Sequence, residues 1–135
     1  MFTLEQSRTA PKELIQFAKD EIYDLMMNVR GVNYVMLCST DGFELAHVHK
    51  KDSYNSTKLA AVSSSILAMV AAFMNEIHLE GCQSITLDAE NGKAILTSIT
   101  SNKHPMIIVT LAEKDVLLGQ LLYALKTASN RISGF

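Results

Sequence analysis

The run Thr57–Leu79, TKLAAVSSSILAMVAAFMNEIHL, constrains the rest of the chain more than any other stretch. Its 23 residues read as one helix, which at about 1.5 Å per residue spans roughly 34 Å, the width of a small domain. On a helical wheel Leu59, Val62, Ile66, Met69 or Val70, Phe73 and Ile77 form a bulky apolar stripe suited to a sheet face. Ala60, Ala61, Ser64, Ala68, Ala71, Ala72 and Asn75 line the back, where a second backbone can approach closely. Leu67 and Met74, with Ser63, make an apolar shoulder between the two. A helix that is apolar nearly all round is buried on more than one side, and one small domain rarely supplies two coverings. The expectation is a pairing module in which a second chain covers the small-residue face.

A membrane span is the competing reading of this helix. Leu59–Met74 is 16 residues without a charge, whereas a transmembrane helix needs about 20 predominantly apolar residues. The run also contains three consecutive serines and is bounded by Lys58, Glu76 and His78, so no membrane insertion is expected. The N-terminal MFTLEQSRTAPKEL has no apolar core of a signal peptide, which places the expected location in the cytoplasm. With 48% apolar and 19% charged residues, the 135-residue chain fits one compact domain, taken as 11–135 after an N-terminal arm of residues 1–10. A net charge of −2 with 12 scattered Lys and Arg supplies no basic field, so nucleic acid is not an expected partner.

The remaining elements follow from periodicity and turn chemistry. Thr9 to Glu13 reads as a helix start with Pro11 in the first turn. From there to about Asn28, Leu14, Ile15, Ala18, Ile22, Leu25, Met26 and Val29 form one amphipathic stripe, and Gly31 follows the helix end. Asn33–Ser39 reads as a central strand, Thr40-Asp41-Gly42 as a turn, and Phe43–Val48 as the return strand. His49–Ser56 has no periodicity and reads as a loop, with Ser56 as cap of the long helix. Gln83–Ala89 alternates as a half-exposed strand, Glu90-Asn91-Gly92 turns it, and Lys93–Ile99 returns. Pro105 opens the apolar run Met106–Leu111, typical of mid-sheet. A last helix starts near Lys114-Asp115 and ends at Gly134. The predicted order αββαβββα makes an α+β fold, a five-stranded antiparallel sheet with helices on both faces.

That order, together with GVNYVMLCSTDGFELA, the long helix, QSITLDAENGKAILTSI and the closing DVLLGQLLYALKTASNRI, resembles the roadblock, or dynein light-chain type, family over roughly Leu14 to Ile132. The resemblance rests on the combination of the glycine before the first strand, the Ser-x-Asp-Gly turn at Ser39 to Gly42, and the late LLGQLLYAL segment. It implies a sandwich of the profilin or longin kind that pairs with itself or with a roadblock paralogue, central helices side by side and sheets joined edge to edge. It also implies a platform for small Ras-like GTPases, acting as a co-regulator of hydrolysis or as a pure scaffold, with no catalytic residue and no cofactor. On this reading the interface residues are Ser63, Ser64, Leu67, Ala68, Ala71, Met74 and Asn75 on the helix, with Ser84 and Thr86 on the shared edge strand.

Other chemistry is sparse. His47 and His49, two apart on a strand, point to one side, but no Cys, Asp or Glu completes a ligand set at a recognisable spacing. Cys38 and Cys82 read as reduced, buried thiols. Ser63, Ser64 and Ser65 lack a nucleophile-elbow context, and no phosphate-binding loop occurs. Arg30 suits a helix-end cation, with an arginine finger as its functional alternative. Met74 is singled out among seven methionines as a surface contact. Two rival functions remain: a small-molecule sensor, which requires a cavity, and a thiol or metal enzyme built on Cys38, Cys82 or the two histidines.

Overall fold

The computed structural model describes residues 10–50, 54–100 and 103–135. Thr9 and the rest of the N-terminal arm up to it lie outside the described residues. The elements are α1 (Lys12–Asn28), β1 (Val32–Ser39), β2 (Glu44–His49), α2 (Ser56–Glu76), β3 (Ser84–Ala89), β4 (Gly92–Ile99), β5 (Met106–Ala112) and α3 (Leu118–Ser133). The strands form one antiparallel sheet in the order β2-β1-β5-β4-β3. The α+β architecture is therefore the expected one, and the two most apolar strands, β1 and β5, occupy its interior.

Turn chemistry sets the joints. Gly31 takes φ +95 after α1, and Gly42 takes φ +94 in the β1–β2 turn, both in the left-handed region that favours glycine. In that turn the amide of Gly42 donates to the Ser39 carbonyl at 3.0 Å and the amide of Ser39 to the Phe43 carbonyl at 2.9 Å. Ala89 pairs with Gly92, leaving Glu90 and Asn91 as the hairpin loop.

Two cores lie on opposite sides of the sheet. The larger is built by α1 and α3, whose Leu14, Ile22, Leu25, Leu121, Leu125 and Ile132 meet Val35, Leu37, Ile95, Ile99 and Ile108. The smaller, beneath α2, joins Tyr34, Met36, Cys38, Leu96, Ile107 and Val109 to Ala60, with Leu59, Ile66, Leu67 and Ile85 half-buried against it. Each large side chain buried in this way contributes about 1.5–3 kcal/mol.

Several details depart from the sequence reading, among them the end of α2 at Glu76 rather than Leu79 and the start of β2 at Glu44 rather than Phe43. Asn55, not Ser56, caps α2: its side-chain oxygen accepts from the amide of Lys58 at 3.1 Å. Ser56 instead turns its hydroxyl to the Tyr34 hydroxyl, 2.6 Å away. The last helix begins at Leu118, later than Lys114-Asp115, because Val116 is held in the core against Gly31 and the amide of Val116 closes a separate turn onto the Glu113 carbonyl. His49 belongs to β2, pairing with Tyr34, rather than to the following loop.

The largest correction concerns α2. Its buried residues are Ala60 and Ser63, while Val62 (46% exposed), Met69 (69%), Phe73 (64%) and Ile77 (47%) face away from the sheet. Relative to the expected packing, the helix is rotated about its axis by roughly a quarter turn, so that the shoulder of Ser63, Leu67 and Met74 faces inward. Ala60 and Ser63 on that side let the helix settle close to the sheet.

Candidate interaction surface

Most of α2 is not covered by the described residues. One flank carries Val62, Met69, Phe73 and Ile77, and the other carries Ala61, Ala68, Ala71 and Ala72, all exposed. The short segment after the helix adds exposed Leu79. At the sheet edge Leu87 is exposed, and Ile85, two residues before it on the same side of β3, joins the core beneath α2. The result is an apolar surface running from α2 towards the β3 edge. In water such a surface is costly at about 25 cal/mol per Å² of apolar area, and contiguous apolar patches of this kind mark association sites.

Among the described residues β3 pairs on one side only, with β4, and its residues are exposed apart from half-buried Ile85. It is more exposed than its alternating sequence suggests, because α3 packs over β4 and α2 over β1 and β2. A strand with one unpaired edge is a ready template for a second strand.

The interface residues read from the sequence divide accordingly. Ala68, Ala71 and Asn75 are exposed on α2, and Ser84 and Thr86 are exposed on β3. Ser63 is buried beneath its own helix, and Leu67 is packed against the smaller core. Met74 is half-buried. Ser64 is occupied locally, its hydroxyl donating to the Thr40 carbonyl at 2.5 Å. Met69, Phe73 and Leu87 join the surface, although the sequence pattern assigns the first two to the sheet and leaves the third out. A helix apolar on every side signals an exposed apolar flank, but not which flank it is.

Near the start of α2 the aromatic groups cluster. The His47 ring stacks 5.7 Å from Tyr34 and 5.4 Å from His49, and its Nδ1 lies 2.5 Å from Glu44 Oε2. Tyr54 meets Tyr34 edge-on at 4.9 Å. Both histidines do share one side of β2, yet among the described residues no group of three or more His, Cys, Asp or Glu is placed to hold a metal ion. Cys38 is buried, and burial, with the nearby Glu44 charge, pushes its thiol up to about 12. Cys82 is only half-buried, contrary to the expectation, because it precedes the exposed edge strand. Arg30 is exposed in the turn between α1 and β1.

The model of the roadblock/LC7 domain matches residues 18–112, well over half of the chain. The chain belongs to the roadblock/LC7 family. The matched span runs from within α1 to the end of β5, so the closing α3 lies beyond it. No curated protein matches the sequence.

Solved structures extend the likeness across the roadblock fold. The gliding protein MglB from Thermus thermophilus superposes with a TM-score of 0.82 at 16% identity, over 93% of each chain. An MglB in a tetrameric arrangement gives 0.83 at 16% identity, over 93% of this chain and 92% of that one. A roadblock/LC7 domain from Streptomyces avermitilis gives 0.73 at 14% identity, over 83% of this chain and 91% of its own. Similarity this distant establishes the fold, and function has to be argued from the surface.

Proposed function

We propose that this roadblock/LC7 chain is a non-enzymatic, cytoplasmic platform that pairs with itself or with a roadblock paralogue and presents the joined α2 helices to a small Ras-like GTPase. The observation that carries the pairing is the apolar flank of α2, with Met69 and Phe73 both about two-thirds exposed. A second copy of the chain supplies a chemically matched cover, and the open β3 edge beside it offers backbone groups for joining the sheets. The tetrameric arrangement of one structurally similar MglB supports self-association as a habit of this fold. The GTPase partner is taken from the resemblance to the roadblock family.

By length and composition α2 is apolar enough to cross a bilayer. Its seat on the sheet through Ala60 and Ser63, and the tie from Ser64 to Thr40, favour the reading in which a protein partner, not lipid, covers its outer side.

Light scattering on the purified chain, alone and with candidate small GTPases loaded with GDP or a GTP analogue, tests both parts. A dimer mass that rises with only one nucleotide state supports the proposal and leads directly to hydrolysis assays. A monomer at micromolar concentration, in the presence and absence of roadblock paralogues, overturns the pairing. A dimer that gains no mass with any GTPase overturns the GTPase platform and leaves a scaffold.

A further inference from the structure

Only two residues of α2 carry a charge, Lys58 in its first turn and Glu76 at its last position. Both are exposed, and among the described residues neither side chain makes an ion pair. They stand 18 positions apart in the chain, which is about five helical turns, so they lie on one line along the helix. Met69 and Val62 fall within about 20° and 40° of that line by the same geometry. The two charges therefore bracket the exposed apolar flank, one at each end.

Each charge also opposes its own helix. The open amides of a helix N-terminus amount to about half a positive charge and the open carbonyls of its C-terminus to about half a negative one, so Lys58 and Glu76 each sit at the end that repels them. The first turn of α2 holds no acid and the last turn no base to offset this. A copy of the same helix laid alongside in the opposite direction reverses both relations. Its Glu76 and C-terminal carbonyls stand beside Lys58, and its Lys58 and N-terminal amides stand beside Glu76. A copy laid in the same direction instead sets Lys58 against Lys58 and Glu76 against Glu76. With the helices antiparallel and level at Leu67, midway between the charges, both ends match at once, because a two-fold axis repeats every contact. The residues in between, Leu59 to Asn75, are uncharged, so nothing else on the helix competes with this register.

We propose that Lys58 and Glu76 select the partner on α2: the flank is covered by a second copy of this chain, its α2 antiparallel and level at Leu67, with Lys58 of each copy beside Glu76 of the other. The inference rests on the pairing proposed above and deepens it, naming the second copy as occupant and assigning the choice to two charges at the rim. The apolar flank around Met69 and Phe73 supplies the affinity. The charges supply selectivity, because rim ion pairs discriminate between partners more than they strengthen any one of them. A chain with an acid in place of Lys58, or a base in place of Glu76, meets a like charge at one end and is disfavoured.

The test is charge reversal in the full-length chain, with self-pairing read by light scattering on dilution and by native mass spectrometry. Lys58→Glu and Glu76→Lys are each expected to weaken self-pairing about tenfold, because the two-fold axis turns two attractive contacts into two repulsive ones. Each reversal suits the dipole of its own helix, so neither monomer is expected to unfold at a lower Tm than the parent monomer. Mixing the two variants restores opposite charges at both ends, and the heterodimer is expected in clear excess over random assortment, an excess that shrinks at high salt. Unchanged self-pairing in both variants, or random assortment in their mixture, overturns the charge selection while the pairing itself stands. A monomer Tm lowered in both variants also overturns it, since the charges would then serve the fold. A parent chain that pairs only with a roadblock paralogue overturns the choice of occupant, and a parent chain that pairs with nothing overturns the pairing and this inference together.

Discussion

Gly42 rests directly against Ala61: a Cβ added at position 42 would stand 3.2 Å from the Ala61 Cα and 3.3 Å from the Ser64 Cβ. Ser64 answers at the same place by donating its hydroxyl to the Thr40 carbonyl. The β1–β2 turn thus docks on the side of α2 where the residues are small. Since a helix is rigid about its axis, that contact also directs Met69 and Phe73 away from the sheet. A turn glycine in this way helps decide which helix flank remains for a partner.

Gly42→Ala tests that contact. The new Cβ meets backbone rather than a yielding side chain, and φ +94 is strained for any L residue. The expected cost is about 1–3 kcal/mol, seen as a fall of several degrees in Tm. Ser64→Ala, which removes only the hydroxyl tie, is expected to cost about 1 kcal/mol.

Substitutions on the two sides of α2 should separate pairing from folding. Phe73→Asp and Met69→Asp introduce charge on the exposed flank, so they are expected to halve the mass seen by light scattering while leaving the cooperative unfolding of the monomer intact. Leu67→Asp is expected to do the reverse, lowering Tm because Leu67 is packed against the smaller core. The same low mass in Leu67→Asp at unchanged Tm would place Leu67 at the seam instead.

The two cysteines should differ sharply towards a thiol reagent. At pH 8 Cys82, half-buried before the edge strand, is expected to be alkylated in the folded protein, whereas Cys38 is protected until unfolding. Mass spectrometry of peptides after a short alkylation pulse distinguishes them. The pH dependence has a definite sign: the folded Cys38 thiol holds its proton up to about 12, whereas the free thiol loses it near 9.0. Stability linked to this group is intact below about 9 and is lost as the pH rises from there towards 12. Cys38→Ala should flatten that alkaline limb of the stability profile.

The cap of α2 is assigned to one residue and can be checked there. Asn55→Ala removes the acceptor for the Lys58 amide and is expected to cost about 1 kcal/mol by denaturant unfolding. Ser56→Ala spares the cap and removes the Tyr34 contact instead.

Element order is readable because its signals are local. The left-handed glycines at 31 and 42, the Glu90-Asn91 loop, Pro105 ahead of β5 and the single stripe of α1 each act within a few residues. They lead to the αββαβββα order and to the interior placement of β1 and β5. The start of α3 is misplaced by the sequence pattern because Val116 continues the apolar spacing of the helix while belonging to the preceding turn, where it packs on Gly31. The wide exposure of β3 is hidden for a similar reason, since alternation in a strand does not reveal whether a helix lies over it.

What the sequence determined by itself is the set of elements, their order, and the existence of a long helix too apolar to be covered by one domain. The rotation of that helix was decided only in the tertiary structure. Both flanks of α2 are apolar, so burial energy barely distinguishes them, and close approach through Ala60, Ser63 and the Gly42 turn settles the choice.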